Sequence, residues 1–289
     1  SGGRDAAAGR PPRMLCIFGI ARSGSNYLCS VLANQPAIEG RFEIFNKNRS
    51  NFLRPEELLE LSRRSGATFP PVTEDPAAIR IIRQDPTRTL DCLADMLPPE
   101  KRLLTFKVLR KQLPVEQLRD EIIARPDTAI AFLRRRPIDA FISSRKATLL
   151  QQWAGVDTTD MKIEIEARDF LRWWRATSDW YWRLERACWQ RGKPFHRLSY
   201  EEDVDVAPDL MVQRLQALVT ACGAADAMGP SVGPPTRFVR QDRAPAAEQR
   251  VANWATFHAE LSARGEAWKA SSPFPYFAPS WRDRRRRLL

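Results

Sequence analysis

Histidine is almost missing from this chain: its 289 residues hold two, His196 and His258. That argues against a His-rich metal centre, and no metal is expected. Cysteine is sparse too. Cys16, Cys29, Cys92, Cys188 and Cys222 are odd in number, widely spread, and include no CxxC pair. Neither a disulfide framework nor a zinc site fits that spacing. Buried reduced thiols in a cytoplasmic protein are the better reading. No run approaches the roughly 20 apolar residues of a membrane-spanning helix. Residues 1–13 are mostly Gly, Ala, Arg and Pro. They lack the apolar segment of a secretory signal and read as a flexible arm. Two nucleotide signatures are also absent, GxxxxGK[ST] and GxGxxG. No internal repeat or dividing linker is visible.

What is present suits a folded chain. It is 43% hydrophobic and 28% charged, enough apolar material for a sizeable core. The net charge is +11. A surplus of that size suggests a nucleic acid, a membrane or a phosphate-bearing ligand as partner. Part of it is terminal: five arginines against Asp283 in residues 282–287 put +4 in the tail. A solvated end is the plainer reading of that tail.

Strands and helices alternate along the sequence. Met14–Ile20, Leu103–Leu109, Thr128–Leu133 and Pro194–Leu198 read as four buried strands. Helices are expected over Asn26–Asn34, Pro55–Arg64, Pro86–Leu97, Val115–Ala124, from Pro137 towards Trp153, and over Ile163–Gln190, Pro208–Cys222 and Ala244–Arg264. Residues 44–84 otherwise read as irregular, punctuated by Pro55, Pro70, Pro71 and Pro76. This is an α/β pattern: one domain over 14–270 with a central, mostly parallel sheet flanked by helices. An arm (1–13) and an Arg-rich tail (271–289) flank it.

Two loops carry the chemistry. Ala21–Ser25 joins the first strand to the first helix. Backbone N–H groups at such a helix start, with the helix dipole, cradle an anion. Gly24 lets the backbone approach closely, Ser23 and Ser25 add hydroxyls, and Arg22 adds fixed charge. A tight turn that happens to hold serines is the alternative. The second loop leaves the third strand at Arg135, and Ser143 lies eight positions on, about two helical turns later. Ligands of parallel sheets bind beyond the carboxyl ends of the strands, so both loops should face one crevice.

Arg22-Ser-Gly-Ser-Asn-Tyr-Leu28 resembles the 5′-phosphosulfate loop of sulfotransferases that use 3′-phosphoadenosine 5′-phosphosulfate (PAPS). Arg135 to Ser143 resembles their 3′-phosphate motif. Leu32 to Phe45, Ser199-Tyr-Glu201, and Arg240-Gln-Asp-Arg leading to Trp254 extend the resemblance. The last is similar to an element of bacterial carbohydrate sulfotransferases of the trehalose and Nod-factor types. The resemblance implies a P-loop-like sulfotransferase fold and a PAPS donor. It implies Arg22, Ser23, Gly24, Ser25, Asn26 and Tyr27 around the sulfate and 5′-phosphate. Arg135 and Ser143 would then hold the 3′-phosphate, with Arg240 and Gln241 closing over the nucleotide. It further implies Glu43 as general base, Lys107 pointing into the site, and Arg22 stabilising the leaving phosphate. Two structural alternatives stand beside these: an ion pair between Glu43 and an arginine, and a Lys107 that reaches solvent at its strand end. The acceptor would be a small-molecule hydroxyl, on a carbohydrate or another alcohol.

Five of the nine tryptophans lie between Phe170 and Trp189. Trp174, Thr177, Tyr181, Leu184 and Cys188 share a helical stripe. It reads as a core face or homodimer interface before it reads as an acceptor wall. His196 reads as structural and His258 as surface. Two rival classes are a basic nucleic-acid-binding protein and a nucleotide kinase without a Walker loop. The placement of the informative arginines at strand ends disfavours the first, and the missing Lys-Ser/Thr pair the second.

Overall fold

The computed structural model describes residues 13–49, 52–152, 156–229 and 246–272. Strand β1 (Met14–Gly19) leads through a short loop to helix α1 (Ser25–Ala33) and strand β2 (Ile38–Gly40). Helices α2 (Pro55–Ser65), α3 (Pro76–Gln84) and α4 (Pro86–Asp95) precede strand β3 (Leu103–Leu109). A short α5 (Val115–Gln117) widens into a π-turn over Leu118–Ile123, before β4 (Thr128–Arg134). Then come α6 (Pro137–Leu150), α7 (Ala167–Gln190), β5 (Phe195–Ser199) and α8 (Pro208–Ala221). Short helices α9 (Ala247–Arg250), α10 (Trp254–Ala263) and α11 (Trp268–Ser271) follow.

The five strands form one sheet in the order β2-β3-β1-β4-β5, and every pairing is parallel. Both faces are covered, which is why β1 is apolar throughout. Met14, Cys16 and Phe18 face one core with Phe106, Phe132 and Tyr181. Leu15 and Ile17 face the other, with Leu28 of α1 and Leu215 of α8. A third cluster joins α6, α10 and the first half of α7 through Ile142, Phe170 and Phe257. All five cysteines are free and buried.

The structure corrects the sequence reading in four places. The sheet has five strands, not four. β2 is only three residues long, too short for a period-2 pattern to show. Gly40 lets it lie against α1, since a Cβ there would sit 2.4 Å from the Ala33 Cβ. Residues 44–84 hold a second helix beyond the expected one, because α3 follows α2. Asp75-Pro76 is a helix start rather than loop punctuation, as Asp85-Pro86 is for the expected helix from Pro86. Asp75 accepts from the Ala78 N–H at 2.8 Å and Asp85 from that of Arg88 at 2.8 Å, each with proline at the first helical position. Residues 163–166 are not helical. Ile163 pairs with Val251, and Asn253 brackets Ile165 with two hydrogen bonds of 2.9 and 3.0 Å. The same pairing splits the last expected helix into α9 and α10. The stripe on α7 is core: Thr177, Tyr181, Leu184 and Cys188 are buried.

Candidate active site

β1 and β4 are neighbours whose chains leave in opposite directions, towards β2 on one side and β5 on the other. Ligands of parallel sheets bind beyond the carboxyl ends of the strands at such a reversal of strand order. The two loops singled out in the sequence meet there. Arg22 donates from Nε to the Ser143 hydroxyl at 2.9 Å. Arg135 donates to the Arg22 carbonyl at 2.7 Å and lies 4.2 Å over the Tyr200 ring. Ser143 accepts that bond through a lone pair, so its own O–H remains able to donate.

Arg22 has φ 68. A residue with a side chain holds that left-handed conformation at a cost of about 1–2 kcal/mol, and the contacts to Arg135 and Ser143 sustain it. Gly24, at φ 82, has a second constraint: a Cβ would lie 2.3 Å from the Tyr200 ring. Its glycine is demanded by packing within the protein, not only by approach of a ligand. α1 starts at Ser25 with no side-chain cap and no acidic residue in its first turn. Its first N–H groups and dipole are thus left for an anion.

The loop's side chains divide their work. Ser23 is fully buried, and its hydroxyl donates to the Ile20 carbonyl at 2.8 Å. It shapes the loop from inside. Ser25 is buried and Asn26 exposed, and both accept from Lys107 Nζ, Ser25 at 3.2 Å. Tyr27 is half-buried against the α1–α8 core.

Lys107 does not reach solvent, being 1% exposed. Register with Ile17 turns it to the α1 side of the sheet, where it meets Glu43 Oε1 at 3.1 Å. The partner of Glu43 is therefore this lysine rather than an arginine. Glu43 Oε2 accepts from Gln112 at 2.8 Å and from Asn46 at 3.0 Å. Three donors fix a carboxylate that stays partly exposed. The strand missed in the sequence is what brings it there: β2 pairs with β3, and the Lys107 N–H donates to the Phe42 carbonyl at 2.7 Å.

Gln112 and Asn46 were not legible as site residues. Gln112 lies in the turn after β3, where it also accepts from the Leu109 N–H at 2.9 Å. No motif or period marks that position. Glu201, singled out within Tyr-Glu, is structural: it accepts from the Arg136 N–H at 2.8 Å, just before α6. Burial pushes the Cys29 thiol up to about 11, so this neighbour of the site is no nucleophile. His196 is half-buried in β5, and burial pulls its pKa below the ordinary value. His258 is exposed on α10. Arg240 and Gln241 lie outside the described residues, as do residues 1–12 of the arm and 273–289 of the tail. Among the described residues, no group of His, Cys, Asp and Glu could hold a metal ion. No described helix is long and apolar enough to cross a membrane.

A family model described as "Sulfotransferase family" matches residues 14–221. The span runs from β1 to the end of α8 and includes both loops, Glu43 and Lys107. Nothing among the curated proteins matches the chain. Similar solved structures include a sulfotransferase domain from the curacin biosynthetic pathway, at 15% identity and TM-score 0.47, covering 96% of each chain. Another is a sulfotransferase from Alicyclobacillus acidocaldarius, at 14% identity and TM-score 0.40, covering 90% of this chain and 94% of that one. A third is the sulfotransferase domain of the Synechococcus PCC 7002 olefin synthase, at 12% identity and TM-score 0.44, covering 95% of this chain and all of that one (100%).

Proposed function

The chain belongs to the sulfotransferase family, and from that premise we propose that it moves a sulfuryl group from PAPS to an acceptor hydroxyl. The products are a sulfate ester and adenosine 3′,5′-bisphosphate. The acceptor is a carbohydrate or another small-molecule alcohol. One observation carries this reading: the Arg22–Ser143 and Arg135–Arg22 contacts bring the two loops together at one end of the sheet. A ligand with separated phosphate-type groups suits that pair.

The residues present fit such a ligand. The uncapped start of α1 and the Arg22 guanidinium would take the 5′ end, and Arg135 and Ser143 the 3′-phosphate. When bound, PAPS supplies the sulfuryl group: its phosphate–oxygen-to-sulfur bond breaks as the acceptor oxygen bonds to sulfur. Arg22 and the α1 N–H groups offset negative charge at the leaving end. Lys107 ties Ser25 and Asn26 of the loop to Glu43, setting the base against the cradle. Glu43 Oε1 bears one of the three contacts and Oε2 the other two. Glu43, held in place by these contacts, would take the acceptor's proton as general base.

Incubation with sulfur-labelled PAPS and a panel of sugars, phenols and aliphatic alcohols tests the reading. Labelled sulfate ester with matching bisphosphate release is expected. No transfer to any acceptor, with no affinity for adenosine 3′,5′-bisphosphate, would remove it.

A further inference from the structure

Arg110 takes no part in the cradle, yet it stands at the same edge of the sheet. It directly follows β3, and its N–H donates to the carbonyl of Gly19, the last residue of β1, at 3.1 Å. Two residues later Gln112 holds Glu43. Strand alternation puts Arg110 on the side of Val108, facing α7. Its guanidinium is half-buried there, within electrostatic reach of the buried Tyr181 hydroxyl. Burial pulls its pKa down, and no carboxylate opposes that. Among the described residues it has no ion pair and no side-chain hydrogen bond.

That is an unusual state for a half-buried charge, which is normally paired. The two loops meeting at Glu43 share the bias. Neither 44–55 nor 103–115 contains an Asp or Glu, while Lys47 and Arg49 lie on one and Arg110 and Lys111 on the other. The helix behind Arg110 has polar atoms to spare: Thr177 Oγ1 and Trp180 Nε1 are buried with no partner. Thr177 sits one turn before Tyr181 on the same stripe of α7.

We propose that Arg110 is the specificity residue for the acceptor, binding a carboxylate or phosphate that the acceptor carries beside its reactive hydroxyl. The substrate class is then an anionic alcohol, such as a uronic acid, a sugar phosphate or a hydroxy acid. This rests on the sulfuryl-transfer reading, and Arg110 acts on the acceptor rather than the donor.

The test is calorimetric. Adenosine 3′,5′-bisphosphate is titrated first, to saturation. Glucose, glucuronate, glucose 6-phosphate, benzyl alcohol and 4-(hydroxymethyl)benzoate are then titrated as matched neutral and anionic probes. An anionic probe should bind roughly 10- to 100-fold more tightly than its neutral match. Arg110→Gln should abolish the difference, and Arg110→Lys should restore part of it. Bisphosphate affinity should stay unchanged in both. The proposal is overturned if no anionic probe binds more tightly than its neutral match, or if Arg110→Gln leaves the preference intact. Weakened bisphosphate binding in Arg110→Gln would also overturn it, by placing Arg110 on the donor. If the bisphosphate fails to bind the unaltered protein, the donor reading falls instead. The same probe pairs on the free chain then still decide the role of Arg110.

Discussion

Arg134 and Arg135 are neighbours in sequence, and they end in different worlds. Arg134 points back into the fold and is met by Glu185 of α7, which also takes Arg197 at 2.7 Å. Arg135 points forward, donates to a backbone carbonyl and stacks on Tyr200. One region spends its charges on itself, and the other turns them towards a crevice. Backbone strain follows the same division. Of the four non-glycine residues with positive φ among those described, Arg22, Phe42 and Lys111 lie in loops at the carboxyl edge. Gln151 only closes the end of α6. Strained backbone gathered at one edge marks a site that the surrounding structure over-determines.

Substitutions can break this comparison or sharpen it. Glu43→Gln should have the largest effect. It keeps an oxygen for Lys107 but cannot take a proton. Sulfuryl transfer should fall by about 10²–10⁴-fold while bisphosphate binding persists. Near-normal turnover would reduce Glu43 to an ion-pair partner. Glu185→Ala should act on the other region. It takes the carboxylate away from the buried Arg134 and should cost about 3–5 kcal/mol in denaturant unfolding, with little change in bisphosphate affinity. Arg135→Ala should do the reverse, weakening bisphosphate about 10- to 100-fold with a smaller change in melting temperature. Gly24→Ala should fall between the regions, because its Cβ meets Tyr200. A loss of about 1–3 kcal/mol is expected, along with weaker bisphosphate binding. His258→Ala, on an exposed face, should change stability by no more than about 0.5 kcal/mol.

The fold was legible where patterns were long. β1 is an unbroken apolar run and β3 and β4 are mostly apolar, and Pro137 and Pro208 announce α6 and α8. β2 was not legible, because three residues carry no period. Nor was the break at Val251, where pairing with Ile163 across the chain overrides a continuous helical pattern. The cradle was legible from Arg22-Ser-Gly-Ser and from the Arg135–Ser143 spacing, since helix geometry converts spacing into position. The Glu43 clamp was legible only in part. Lys107 stood out as a charge in an apolar strand, but its partner depended on the unseen β2. Gln112 lies in the turn after β3, where sequence period gives no direction to a side chain.

Sulfuryl transfer from PAPS requires this end of the sheet to hold a nucleotide phosphorylated at both the 3′ and 5′ positions of its ribose. Calorimetric titration of the unaltered chain with adenosine 3′,5′-bisphosphate and with adenosine 5′-monophosphate tests this directly. The bisphosphate should bind at least roughly tenfold more tightly, and Arg135→Ala should erase the difference. Equal affinity for the two nucleotides, or a preference that survives Arg135→Ala, would contradict it.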